Sequence, residues 1–256
     1  MRKKREVNLI TVLQIASVAA LLLWMQYAVT TGKVSKVFLA APSGIFSELV
    51  KTVKGGILFK HLIITLEEVL TGYFIGGVVG VAVAILWTLF KPLEKYMNVF
   101  CSAIMAVPKT AILPLLILWF GIGFKSKVFL IFLSSVFQIL YNTVTGTKQC
   151  PNDYLKVAKV FELGRVQTVF KVLLPSALPQ MFNGFRLAAA TAMTTVVFSE
   201  MQSAKAGLGF LLAEAQQLLN TPRIFLVIVT VTLISVLLVK LVAVTEYAVT
   251  HKWNRT

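Results

Sequence analysis

The apolar residues of this chain are gathered into six long runs separated by short polar stretches, and that arrangement limits its possible folds more than any other property. An α-helix needs about 20 residues to cross the hydrocarbon core of a bilayer, and each run approaches that length. Hydrophobic residues make up 57% of the 256, charged residues only 14%, and the mean hydropathy is +0.83. A water-soluble domain of this size would need far more charge to cover its surface. The runs therefore predict an all-α membrane protein with six transmembrane helices, at about 7–29, 62–90, 96–120, 128–147, 178–201 and 224–249. The parts are a tail and first helix over 1–30, an extracytoplasmic connector over 31–60, and a core over 61–256.

The charge reads as topology. A net charge of +15 and a pI near 10 would suit a nucleic-acid binder. However, the basic residues flank apolar segments and form no stripe on a polar domain, so nucleic acid is not expected as a partner. Lys and Arg in such positions hold loops in the cytoplasm and meet anionic headgroups of the lipid bilayer. An even number of spans places both termini on one side, and the basic start at residues 2–5 makes that side the cytoplasm. Lys and Arg then favour the cytoplasmic side by 13 to 9. The first apolar run is too long for a cleaved signal and lacks a small-x-small site directly after it, so it reads as a retained span. Cys101 and Cys150 have neither the number nor the spacing of a disulfide framework or a metal site.

Within the runs, Gly72, Gly76 and Gly80 recur every four residues, sharing a helix face on which a neighbour can approach closely. Pro108 and Pro114 in the third run each remove a backbone donor. Carbonyls freed at membrane depth need protein neighbours or a wet cavity, so this segment reads either as a pathway lining or as a simple kink. Ionisable groups in apolar spans are costly and tend to mark function, which singles out Lys109, Arg186, Glu200 and Lys240. Lys109 could neutralise an anionic substrate, or pair with a carboxylate, or snorkel. Snorkelling is the simpler account of Arg186, a salt bridge that of Glu200, and Lys240 needs a partner the sequence does not reveal. Glu67 and Glu68 are expected at the membrane interface. The polar stretch 148–171 mixes charge with periodic apolar residues and predicts one or two short amphipathic helices, suited to lipid or to another protein.

Residues 157–179, VAKVFELGRVQTVFKVLLPSALP, resemble the cytoplasmic EAA loop of importer permeases of the ATP-binding-cassette superfamily. Ala158, Arg165, Gln167, Thr168, Leu174, Pro175 and Pro179 match its pattern; Lys156 and Val157 replace its first Glu and Ala, and Glu162 stands where the family has Gly, with Gly164 nearby. Other short matches follow in family order. They are Phe38-Leu39 with Pro42, residues 61–66, Val107-Pro108, Leu113-Pro114, residues 119–123, Ser199-Glu200, and Gly207-Leu208-Gly209, resembling permeases of the nitrate, sulfonate and taurine group.

The resemblance implies a type I importer permease fold with a cytoplasmic coupling helix, in the cell inner membrane. It also implies a homodimer of permease copies, two ATPase subunits that bind ATP and Mg, and an extracytoplasmic solute-binding protein. Ala158, Phe161, Glu162, Gly164, Arg165, Gln167 and Thr168 would touch the ATPase, with Pro175 fixing the start of the fifth span. Pro108, Lys109, Pro114, Arg186 and Glu200 would lie on the pathway of a small anionic or vitamin-like solute. No cofactor or metal is expected in this chain, nor is catalysis. It has no phosphate-binding G-x-x-x-x-G-K-[ST] loop, and its two histidines, His61 and His251, sit in no H-E-x-x-H motif. A transporter driven by an ion gradient is the alternative. Such proteins tend to carry paired halves, and no repeat is evident here.

Overall fold

A computed structural model describes the backbone of residues 2–253 and the side chains of 11–250. The side chains of the basic start, residues 2–5, and of His251 lie outside the described residues. In chain order the helices are α1 (Arg2–Thr30), α2 (Pro42–Lys54), α3 (Ile57–Leu89), α4 (Lys91–Ala106), α5 (Leu113–Phe120), α6 (Phe124–Lys148), α7 (Asn152–Val160), α8 (Arg165–Thr168), α9 (Leu174–Ser203), α10 (Leu208–Gln217) and α11 (Thr221–Trp253). A 3₁₀ turn, Lys109–Ile112, precedes α5, and a π-helical turn, Val169–Leu173, joins α8 to α9. No strand occurs among the described residues.

Among the described residues four helices, α1, α3, α6 and α11, are long and apolar enough to cross a membrane, and α4 with the segment Lys109–Phe120 makes a fifth if the bent pair is one span. That pair covers the third span expected over 96–120, and it bends by 83° at the prolines that the sequence marked as a kink or a pathway lining. The cause is local. Pro108 forces Val107 into an extended conformation (φ −70, ψ 129), which ends α4 and restarts the chain in a new direction. The expected fifth span corresponds to α9, which has the length to cross at 30 residues. It carries Asn183, Arg186, Thr191, Thr194 and Thr195 and is less apolar than the others, so the structure supports four or five spans where six were expected. The connector is more ordered than the sequence indicated, since α2 occupies its middle.

Two compact units make up the chain. In the smaller, residues 1–61 and 211–230, Met25, Ala28 and Val29 near the end of α1 are buried while the α1 side chains over 11–23 are exposed. In the larger, residues 62–210 and 231–256, α6 is the central element. It buries Leu130, Ile131, Val136, Phe137, Ile139, Leu140 and Val144 together with Ser134, Ser135, Thr143 and Thr147.

Lipid tails are as apolar as a leucine, so helices in a membrane associate through close approach and hydrogen bonds. Both occur around α6. A methyl group added at Gly72 would lie 2.7 Å from the Val128 carbonyl oxygen, at Gly76 2.9 Å from Ser135 Cβ, and at Gly80 2.8 Å from the Val136 carbonyl oxygen. On its other side Gly146 meets Ala177 and Gly184 meets Asn142 of α6 and α9. Gln138 Nε2 donates to Thr191 Oγ1 at 2.8 Å, and Gln180 Nε2 to Asn142 Oδ1 at 3.1 Å. Gly72→Val forces α3 away from α6 and should cost about 1–3 kcal/mol of stability, read as an earlier unfolding midpoint in detergent.

Candidate functional site

The segment between α6 and α9 is built as a rigid elbow. α7 ends in a Schellman turn: Glu162 N–H donates to the Lys159 carbonyl and Leu163 N–H to the Ala158 carbonyl, both at 3.0 Å. Such a turn needs one residue in the left-handed region, and here that residue is Glu162, at φ 51. The position at which the sequence departs from glycine is thus the position whose backbone favours glycine. Gly164, at φ −61, has nothing within 4 Å of an added methyl group and caps α8 instead. Its N–H donates to Gln167 Oε1 at 3.3 Å, and its carbonyl accepts from Thr168 N at 2.9 Å and Thr168 Oγ1 at 3.1 Å.

Ala158 is buried under this turn, whereas Tyr154, Val157, Val160 and Phe161 present an exposed apolar face. Tyr154, Val157 and Phe161 line a groove of about 820 Å³ with Leu163, Lys171 and Pro175, the last in the first turn of α9. Arg165 is exposed, with its guanidinium 6.0 Å from the Phe90 ring centroid.

A second constellation lies at the far end of α9. Glu200 Oε1 accepts from Thr65 Oγ1, and Glu200 Oε2 from the Gly209 N–H, each at 2.7 Å. Thr65 Oγ1 in turn accepts from the Leu208 N–H at 2.8 Å. The carboxylate therefore caps the start of α10, where free N–H groups and the helix dipole favour a negative charge. A side chain at Gly207 or Gly209 would collide with the Glu200 carboxylate or the Val197 carbonyl, which is why both positions are glycine. Beside it, Glu68 and Lys127 form an ion pair with both side chains almost wholly buried. Glu200 is thus a helix cap rather than the salt-bridge member anticipated, and Glu68 is inside the protein rather than at an interface. Thr65 and Lys127 were missed, and Glu68 misplaced, because Lys127 reads in the sequence as a loop charge; the i, i+3 spacing of Thr65 and Glu68 was the available signal.

The remaining residues are dispersed. Lys109 is half-buried on the 3₁₀ turn directly after the bend, between the exposed Pro108 and Pro114. Arg186 does not snorkel; it pairs with Glu246 of α11 at 2.5 Å. Lys240 is exposed, with no ion pair among the described residues, and Glu67 is exposed.

Residues 72–253 match the family model described as "Binding-protein-dependent transport system inner membrane component". The chain belongs to this family of ABC importer permeases. It is 31% identical over 226 residues to the riboflavin transport system permease protein of Chloroflexus aurantiacus, covering 88% of this chain and 84% of that one. It is 28% identical over 232 residues to the taurine transport system permease protein of Escherichia coli strain K12, again covering 88% and 84%. Its fold is similar to that of the MetNI methionine ABC transporter in an inward-facing conformation, with a TM-score of 0.64 at 19% identity over 77% of this chain and 95% of that one.

The permease is therefore a multi-pass membrane component of a transporter that works with an ATPase and a binding protein, as the EAA-like residues implied. Proteins of this family are transport components and not catalysts.

Two outcomes follow from the geometry. Glu68→Ala leaves the Lys127 ammonium buried without its partner and should cost about 3–5 kcal/mol, much of which Glu68→Ala with Lys127→Met restores. A double-mutant cycle on thermal midpoints in detergent measures this. Glu162→Gly removes the left-handed strain on a side-chain-bearing residue and should raise the permease's stability by about 1 kcal/mol in the same assay.

Proposed function

We propose that α7, the Schellman turn and α8 form the coupling helix of this permease and fit a groove on a separate ATPase subunit. The observation that carries this reading is the α7 face made by Tyr154, Val157, Val160 and Phe161, exposed and apolar beside a turn closed by backbone hydrogen bonds. A contiguous apolar face on a polar segment marks a protein contact, and Ala158, Glu162, Gly164, Arg165, Gln167 and Thr168 set its shape. ATP and Mg are held by the ATPase pair, whose closure pushes the elbow. Because a ligand shifts an equilibrium only by binding one state better, ATP acts through the ATPase arrangement that presses on α7.

The permease acts as a homodimer in the cell inner membrane, with six spans, α9 included, and both termini in the cytoplasm. A solute-binding protein delivers cargo from the other side. The broken segment at Pro108, Lys109 and Pro114 lines the pathway. There the Lys109 ammonium favours a small anionic solute such as a sulfonate, in keeping with the taurine-transport relative; the riboflavin-transport relative makes a vitamin-like solute the second class. Arg186, through Glu246, and Glu200, through α10, brace α9 beside that pathway.

The test is the intact transporter in liposomes, with ATP hydrolysis and solute uptake measured together. Arg165→Glu should leave hydrolysis running and abolish uptake, and Lys109→Gln should raise the concentration of an anionic solute needed for half-maximal uptake. Unchanged uptake by the Arg165 variant would remove the coupling assignment.

A further inference from the structure

The helix α2 is amphipathic in the reverse sense. A helix on a water-soluble protein turns its apolar stripe to the core and its polar stripe to solvent. In α2 the inward stripe is Glu48 and Thr52, only 7% and 1% exposed, while Phe46 on the outward face is 66% exposed. Positions 46, 49, 50 and 53 follow helical spacing and place Phe46, Leu49, Val50 and Val53 along one stripe, on which Phe46 and Val53 are exposed and Leu49 and Val50 half-buried. Ser47, Lys51 and Lys54 form the next stripe, and all three are exposed.

The inward stripe is fixed by polar contacts. Arg223 Nε, in the first turns of α11, donates to Glu48 Oε1 at 2.7 Å, and Thr52 Oγ1 donates to the Glu48 carbonyl at 2.9 Å. Arg223 Nη1 reaches Glu214 Oε2 at 3.5 Å.

Its position is set by two membrane-spanning helices. The start of α2 is held by the last turns of α1, where Gln26 Oε1 accepts from the Ser43 N–H at 3.1 Å. It also packs on the first turn of α11: a methyl group at Gly44 would lie 3.7 Å from Pro222 Cγ, and Thr221 Oγ1 donates to the Val37 carbonyl at 2.8 Å. The candidate spans Thr11–Thr30 and Thr221–Thr250 end and begin at these contacts. α2 is therefore tethered where one candidate span ends and another begins.

We infer that α2 is an interfacial helix of the permease. Its stripe of Phe46, Leu49, Val50 and Val53 is seated in the acyl boundary of the leaflet where α1 ends and α11 begins, and Lys51 and Lys54 reach lipid phosphates. The chemistry fits a lipid surface: an apolar stripe bordered by lysines lies in the plane of the interface, with the long lysine side chains extending to the headgroups. A water-facing α2 would leave Phe46 and Val53 exposed to solvent while its only buried carboxylate faced inward.

The test uses the full chain in liposomes containing anionic phospholipid, with nitroxide labels on Phe46→Cys, Val53→Cys, Lys51→Cys and Lys54→Cys in separate proteins. Both native cysteines, Cys101 and Cys150, are buried, so the unsubstituted permease is the labelling blank. Collision with oxygen, which concentrates in lipid, should exceed collision with a water-soluble nickel chelate at 46 and 53, and the order should invert at 51 and 54. Two apolar positions are used so that loss of one variant leaves the other. Nickel excess at all four positions places α2 in water and overturns the inference. Exclusion of both reagents at 46 and 53 means that a protein surface covers the stripe, and overturns it equally.

Discussion

The absence of a hydrophobic driving force between helices in lipid is the constraint from which the rest of this permease follows. Its larger unit meets that constraint at α6. Gly72, Gly76 and Gly80 bring α3 against the α6 backbone, and Gly146 and Gly184 do the same between α6 and α9. Close approach maximises dispersion contacts and lets Gln138, Asn142, Gln180 and Thr191 hydrogen-bond across the seam. The same logic explains why α6, with its serines and threonines, is the most buried span, while the more uniformly apolar α1 and α11 are largely exposed.

Around that seam the charged residues act as fasteners. Glu68 with Lys127, Arg186 with Glu246, and Glu200 with the start of α10 each tie α9 or its neighbours to a second element. In a low-dielectric surrounding such pairs are strong once formed and expensive to break, which favours a few discrete arrangements over a continuum. A transporter that moves between two states needs that property.

Much of the architecture is legible in the sequence because lipid imposes long apolar runs: the ends of α3, α6, α9 and α11 fall within a few residues of the expected limits. The EAA-like segment is also recognisable, and its two short helices and turn appear at the expected place. The bend at Pro108 was visible as a donorless residue, but a proline alone does not give the size of a bend, here 83°. Arg186 and Glu246 are 60 residues apart, and Glu200 and Thr65 are 135 apart, so their pairings arise from tertiary structure alone. The inverted polarity of α2 was hidden for a similar reason: a helical period shows that a stripe exists, and only the contact between Glu48 and Arg223 shows which stripe faces in.

The π-helical turn joins α8 directly to α9. No non-helical residue lies between 165 and 203, so the chain runs without a loop from the elbow to the end of α9. Its near end is clamped at the elbow under Glu162, and its far end carries the carboxylate of Glu200 that grips Gly209. No loop therefore separates the elbow from the cap, and the two ends belong to one continuous helical run.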